Sequence, residues 1–280
     1  MGTYAVTGAR SGMGHAVVER LAKAGHTVVT VDLADADVTA DLSTPSGRQA
    51  AAAAVLETCE GTLDGAVMAA GIGPVPGRDM PRRILEVNYL GAVELLNTWR
   101  PALAASDIAQ VVAITSNSAT VVPAVPGRAV DALLADDVER AAAALGKYRA
   151  HAPTMAYAAS KVALSRWVRR QAVTPLWAGE GVRLNALAPG AVRTPLLEAQ
   201  LDDPKQAKHL KRFPIPLGEY GEAGDIADWI VFMLGPAARS LCGSVIFVDG
   251  GSDAWFRADD WPRPVPVRAI RRYFKRMRAA

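Results

Sequence analysis

At 280 residues, half of them apolar, the chain can bury one large core, and nothing in it marks a linker between two domains. The net charge of +3 hides an asymmetry: the first 260 residues carry 24 Lys or Arg against 28 Asp or Glu, whereas residues 261–280 carry seven cations and no acid. A nucleic-acid-binding fold would spread its cations over a recognition surface, so this distribution argues for a mildly acidic catalytic body with a basic extension and against nucleic acid as a partner.

Cys59 and Cys242 supply neither a disulfide framework nor a zinc pattern, which points to a reduced, cytoplasmic setting. No apolar leader precedes Tyr4 and no window reaches the eighteen or so apolar residues of a membrane span, so the protein is expected to be soluble and unexported.

In chain order, the apolar run Tyr4-Ala5-Val6 enters Thr7-Gly8-Ala9-Arg10-Ser11-Gly12-Met13-Gly14. A strand that meets a glycine-rich turn and then a helix points backbone N–H groups at a phosphate, and the missing Cβ atoms let a pyrophosphate approach. A helix over 15–24, closed by Gly25, and a second strand over 27–31 ending in Asp32 complete a βαβ unit. An acid at that strand end accepts hydrogen bonds from ribose hydroxyls and repels a 2′-phosphate, which favours NAD over NADP. Arg10, inside the loop, is expected to offset part of that repulsion.

Alternation continues with a short strand near 36–40, a helix over 46–59, a strand over 65–69, a long helix over 81–103 and a strand over 109–115. The Ala- and Leu-rich stretch 131–147 reads as an inserted helix. After it come a helix over 154–177, a strand over 181–188, a helix over 222–234 and a last strand over 244–248. This succession predicts an α/β fold: a Rossmann-type, doubly wound parallel sheet of about seven strands flanked by helices. Residues 1–255 form its one catalytic domain, and 256–280 a basic C-terminal extension.

Tyr157 and Lys161 stand four apart, on one face of a helix. An ammonium beside a phenol favours the phenolate, bringing proton transfer nearer neutral pH; the same spacing also suits a half-buried Tyr and a solvated Lys. Ser116 ends the strand over 109–115, where open α/β sheets place ligands, with Ser118 a rival; either hydroxyl also suits a helix cap or turn. Asn88 lies inside the predicted 81–103 helix, where an amide is mildly unfavourable, and is read as holding a water or a backbone group. His15, His26, His151 and His209 are scattered, so no metal is expected.

These motifs together, with Ala69-Ala70-Gly71 and Pro189-Gly190 followed by Thr194, resemble the short-chain dehydrogenase/reductase family in matching order over about residues 2–255. VTADLST after Asp32, LDGAVMAAGIGP, the insertion before Tyr157 and GVRLNALAPGAVRTPLL are most similar to the bacterial 3-alpha-hydroxysteroid dehydrogenase/carbonyl reductase branch. The resemblance implies Tyr157 as catalytic acid or base, Ser116 as the residue that polarises the carbonyl, Lys161 on the nicotinamide ribose, and Asn88 supporting a proton relay through water. It implies an NAD site at Gly8, Ser11, Gly12, Met13, Gly14, Asp32, Asp41, Leu42, Ala70 and Gly71, continued by Tyr157, Lys161, Pro189, Gly190, Val192 and Thr194. Ala69 stands where the family often has Asn, and Met13 where it often has Ile.

The implied reaction is hydride transfer between NAD(H) and a hydrophobic secondary alcohol or ketone, with a 3-alpha-hydroxysteroid as the sharp version. Val121, Val122, Leu196 and Leu197 are candidate substrate contacts, or else packing under a lid or an oligomer contact. A smaller cyclic alcohol, diol or terpenoid is the second enzyme reading, and a non-catalytic nucleotide-binding protein a third. The resemblance also implies a homodimer or homotetramer. The tail is expected to be extended through Pro262, Pro264 and Pro266, then helical over 269–280, with Ile270, Tyr273, Phe274 and Met277 near one face. Docking on a partner subunit is favoured there over peripheral contact with an anionic membrane.

Overall fold

The computed structural model describes residues 1–203, 207–208, 210–262 and 264–278. Its first half runs β1 (Thr3–Thr7), α1 (Gly12–Lys23), β2 (Thr27–Asp32), β3 (Val38–Thr39), α2 (Pro45–Thr58), β4 (Gly65–Met68), α3 (Met80–Leu85) and α4 (Gly91–Ala104). Then come β5 (Gln110–Ile114), α5 (Ser118–Val121), α6 (Gly127–Leu133), α7 (Val138–Leu145), α8 (Ala152–Gln171), β6 (Arg183–Pro189), β7 (Val192–Arg193) and α9 (Pro195–Asp202). The chain continues through β8 (Gly221–Glu222), α10 (Ala223–Leu234), β9 (Val245–Val248), α11 (Ser252–Arg257) and α12 (Ile270–Met277).

Seven strands form a parallel sheet in the order β3-β2-β1-β4-β5-β6-β9, the doubly wound sheet expected. Alternate side chains of each central strand feed opposite cores. In β5, Val111 and Ala113 join α2, α4 and α8 on one face, whereas Val112 and Ile114 join α1 and α10 on the other. A one-residue slip would exchange the two sets, so burial itself specifies the register. Strand order reverses between β1 and β4, and a crevice opens there at the carboxyl ends of the strands.

The expected helix over 81–103 runs without interruption from Met80 to Ala104, with a π turn over Glu86–Leu90 between α3 and α4. The inserted helix, by contrast, is two, α6 and α7. Asp136 adopts φ +57° between them, and the Asp137 side chain accepts a hydrogen bond from the Arg140 N–H at 2.9 Å, capping α7 anew. In the tail, α12 covers 270–277, and residues 279–280 of the expected helix lie outside the described residues.

Candidate active site

Small residues build the crevice. Gly8 has φ +68°, and a Cβ there would lie 2.7 Å from the Ala70 nitrogen; at Gly14 a Cβ would overlap the Gly8 carbonyl. Only glycine lets the turn close against both β4 and the start of α1. Ser11 caps α1 with no side-chain hydrogen bond, and the first turn holds no acid. The free N–H groups and the positive helix end therefore face the cleft, an arrangement suited to a pyrophosphate.

Asp32 stands at the rim of the cleft. Its two carboxylate oxygens accept N–H bonds from Leu33 at 2.7 Å and Arg10 at 2.9 Å. The Arg10 guanidinium pairs instead with Asp35 at 3.1 Å, so the expected offset of the Asp32 charge by Arg10 is drawn off to a second carboxylate. Asp41 and Leu42 line the same cleft, beside Arg83. The Ser43 hydroxyl and N–H hold the Asp41 carboxyl below the ordinary carboxylate range, and Arg83, 3.7 Å away, adds to this.

A second cavity of about 290 Å³ holds Ser116, Tyr157 and Lys161, and it shares Met13, Ala69, Gly71, Thr194 and Leu196 with the dinucleotide cleft. Pro189, Gly190 and Val192 line it too. Gly190 is needed for close approach, since a Cβ would lie 2.8 Å from the Asp249 Cα. Thr194 caps α9 by accepting the Leu197 N–H at 3.4 Å. The two spaces are thus joined through the five residues they share.

Lys161 is buried and donates from Nζ to the Ile114 carbonyl at 2.9 Å, with Nζ 5.6 Å from the centre of the Tyr157 ring. Burial pushes the Lys161 ammonium down to about 8 and pushes the Tyr157 phenol above its ordinary value, with the Ser116 hydroxyl opposing the latter. The expected lowering of the phenol by Lys161 is therefore absent from this geometry. The ammonium is turned toward a strand carbonyl, and burial sets the direction of the phenol. Ser116 Oγ accepts the Ser118 N–H at 3.1 Å, and its hydroxyl is directed at the Tyr157 phenol, so a carbonyl oxygen placed between the two would take over that proton.

Asn88 lies in the π turn, 1% exposed, and lines neither space. Its side-chain oxygen accepts the Ile72 N–H at 2.7 Å and its amide donates to the Ile72 carbonyl at 3.0 Å. This side chain clamps the backbone just past Gly71, in keeping with the reading that it holds a backbone group. His15, His26 and His151 lie apart, with His26 Nδ1 accepting the Gly2 N–H at 3.1 Å; His209 lies outside the described residues.

Residues 3–127 match the short chain dehydrogenase family, and residues 138–253 match the family described as enoyl-(acyl carrier protein) reductase. A 3-alpha-hydroxysteroid dehydrogenase/carbonyl reductase of Comamonas testosteroni is 38% identical over 257 residues, covering 92% of this chain and 98% of its own. This chain belongs to the short-chain dehydrogenase/reductase family. A tropinone reductase homologue of Datura stramonium is 27% identical over 89% of the chain and 91% of its own. The crystal structure of the 3-alpha-hydroxysteroid dehydrogenase from Pseudomonas sp. B-0831 complexed with NADH superposes with a TM-score of 0.85 at 44% identity, covering 92% of this chain and 99% of that one.

As a short-chain dehydrogenase/reductase with an acidic rim at Asp32, the chain is an NAD(H)-dependent oxidoreductase. Sequence reasoning missed Thr154, Asn117 and Gln200 in the reaction cavity and Arg83 beside the cleft. Thr154 had a signal, since it precedes Tyr157 by three on the same helix face. Gln200 had none, because only the fold brings α9 over the cavity. Replacing Asp32 by Ala is expected to raise NADP use relative to NAD by about tenfold or more, by removing both repulsion and ribose bonds. Relative kcat/KM for the two cofactors measures it, and a wild type that prefers NADP contradicts it.

Proposed function

We propose that this enzyme transfers hydride between NAD(H) and a hydrophobic secondary alcohol or ketone of compact ring type, a 3-alpha-hydroxysteroid being the sharpest candidate. The observation that carries the reading is the meeting of Ser116, Tyr157 and Lys161 in one cavity that opens into the dinucleotide cleft. In ketone reduction the Ser116 hydroxyl donates to the carbonyl oxygen and Tyr157 delivers the proton; in alcohol oxidation the Tyr157 oxygen removes it. Bound NADH supplies the hydride and NAD⁺ accepts it. Lys161 holds the ribose side of the cofactor, and Asn88 acts as a positioning residue through the Ile72 backbone. Gly8, Ser11, Gly12, Met13 and Gly14 hold the pyrophosphate, and Asp32, Asp41, Leu42, Ala70 and Gly71 the adenosine half. Pro189, Gly190, Val192 and Thr194 face the nicotinamide.

The cavity volume of about 290 Å³ lies just below the usual ligand range of about 300–1,000 Å³, which favours a compact substrate. Val121, Val122, Leu196 and Leu197 line it, in keeping with an apolar substrate. The steroid reading draws on the names of the Comamonas and Pseudomonas relatives. The smaller-ring reading draws on the tropinone reductase homologue and on the cavity size. Measuring NAD reduction with steroid alcohols, terpenoid alcohols and small diols separates them. The raised phenol makes Tyr157 an acid at neutral pH, so ketone reduction is expected to run well there, whereas alcohol oxidation climbs as pH rises toward the phenol's ionisation.

Residues 1–255 are read as one catalytic unit, working in the cytoplasm. Among the described residues no helix is long and apolar enough to cross a membrane. Self-association as a dimer or tetramer is supported by Trp229 and Phe232, which leave a paired aromatic face of α10 exposed. Sedimentation at micromolar concentration is expected to show the oligomer, and a pure monomer contradicts it.

A further inference from the structure

The family matches end at residue 253, and the chain continues into a helix that the dehydrogenase chemistry does not use. On α12, Ile270, Tyr273, Phe274 and Met277 follow the i, i+3, i+4, i+7 spacing of a single helix face. All four are solvent-exposed, Met277 at 61%. Arg271, Arg272, Lys275 and Arg276, with Arg278 just beyond, fill the rest of the circumference, and the helix contains no acid. Among the described residues none of these five cations forms an ion pair with a carboxylate, although the first 260 residues carry net negative charge.

We propose that α12 docks this enzyme on an anionic lipid surface, with the Ile270, Tyr273, Phe274 and Met277 face entering the headgroup region and the surrounding cations meeting lipid phosphates. An aromatic and aliphatic face set into a Lys- and Arg-rich helix is the pattern of a segment that lies in the plane of a membrane interface. Arg271 and Arg278 flank the face on one side and Arg276 on the other, so long side chains can rise to the phosphates along both edges while the face sinks between them. A second copy of the chain fits less well. Protein interface cores are depleted in charge, and this narrow face is bordered by charge on both edges with no acid to fix a register. Trp261, Val265 and Val267, exposed just before the helix, extend the apolar surface available to lipid.

The test is co-sedimentation of the full chain with vesicles of equal parts phosphatidylcholine and phosphatidylglycerol, against vesicles of phosphatidylcholine alone. Binding to the mixed vesicles is expected to be stronger by at least about tenfold, and to fall as salt is raised. Phe274→Glu, and separately Arg271→Glu with Arg272→Glu, are each expected to weaken it by about tenfold or more while leaving NAD-linked turnover in solution unchanged. Vesicle binding is read without substrate, so its failure is distinct from any failure of the proposed reaction. Absence of binding to the anionic vesicles overturns the proposal, as does binding that survives both variants. A shift of the variants to a smaller sedimenting species also overturns it and assigns the face to a second copy.

Discussion

Replacing Tyr157 by Phe is expected to lower turnover by at least about a hundredfold while leaving NAD affinity nearly unchanged. The substitution removes one oxygen and keeps the ring, so packing in the cavity and the contact between the ring and Lys161 persist. What disappears is the proton-transfer group. Ser116 does not replace it, because an aliphatic hydroxyl is a far weaker acid than a phenol and its oxygen already accepts the Ser118 N–H. The loss should be of similar size in both directions, since the same oxygen gives the proton in reduction and takes it in oxidation. Steady-state rates with a cofactor titration separate the two effects. Turnover within a few fold of wild type would remove Tyr157 from the mechanism.

Lys161→Ala is expected to weaken both chemistry and cofactor binding, by about a hundredfold in kcat/KM and about tenfold in NAD affinity. The ammonium is buried, tied to the Ile114 carbonyl at 2.9 Å and set beside Gly71, a residue the two spaces share, so its loss removes that carbonyl's partner and the cation from this corner of the cavity. Its pKa of about 8 has a visible consequence. The free enzyme keeps this group mostly cationic at neutral pH and loses the charge through mildly alkaline pH, well before an exposed lysine would. Nucleotide affinity is therefore expected to decline above that range, and the decline should vanish in Lys161→Ala. A change confined to the substrate KM contradicts the double role.

The dinucleotide cleft was legible because its signals are local. The turn from Thr7 to Gly14 and the acid at the end of β2 lie within one βαβ unit, and their spacing alone implies strand, turn and helix. The reaction cavity was legible only as separate motifs. Ser116 and Tyr157 are brought together by the pairing of β5 with β6 and by the packing of α8, neither of which is written in either motif. The π turn within the 81–103 helix was hidden for the same reason, since its Asn88 side chain is held by the Ile72 backbone, sixteen residues earlier.

The break in the insertion is a different case. Asp136 and Asp137 carried a local capping signal that the surrounding alanines and leucines masked. The direction of the Tyr157 shift could not be read from an i, i+4 spacing, because that spacing is silent about burial and burial decides the sign.

The most direct test of the central claim follows deuterium from the carbinol carbon of a secondary ring alcohol, using a steroid alcohol and a simple cyclic alcohol in parallel, to NAD in wild type and in Tyr157→Phe. The label is expected on the reduced nicotinamide in wild type with at least one of the two alcohols, and to appear about a hundredfold more slowly in the variant. Label that reaches the nicotinamide from neither alcohol, or at equal rates in the two proteins, would contradict hydride transfer at the Ser116, Tyr157 and Lys161 cavity.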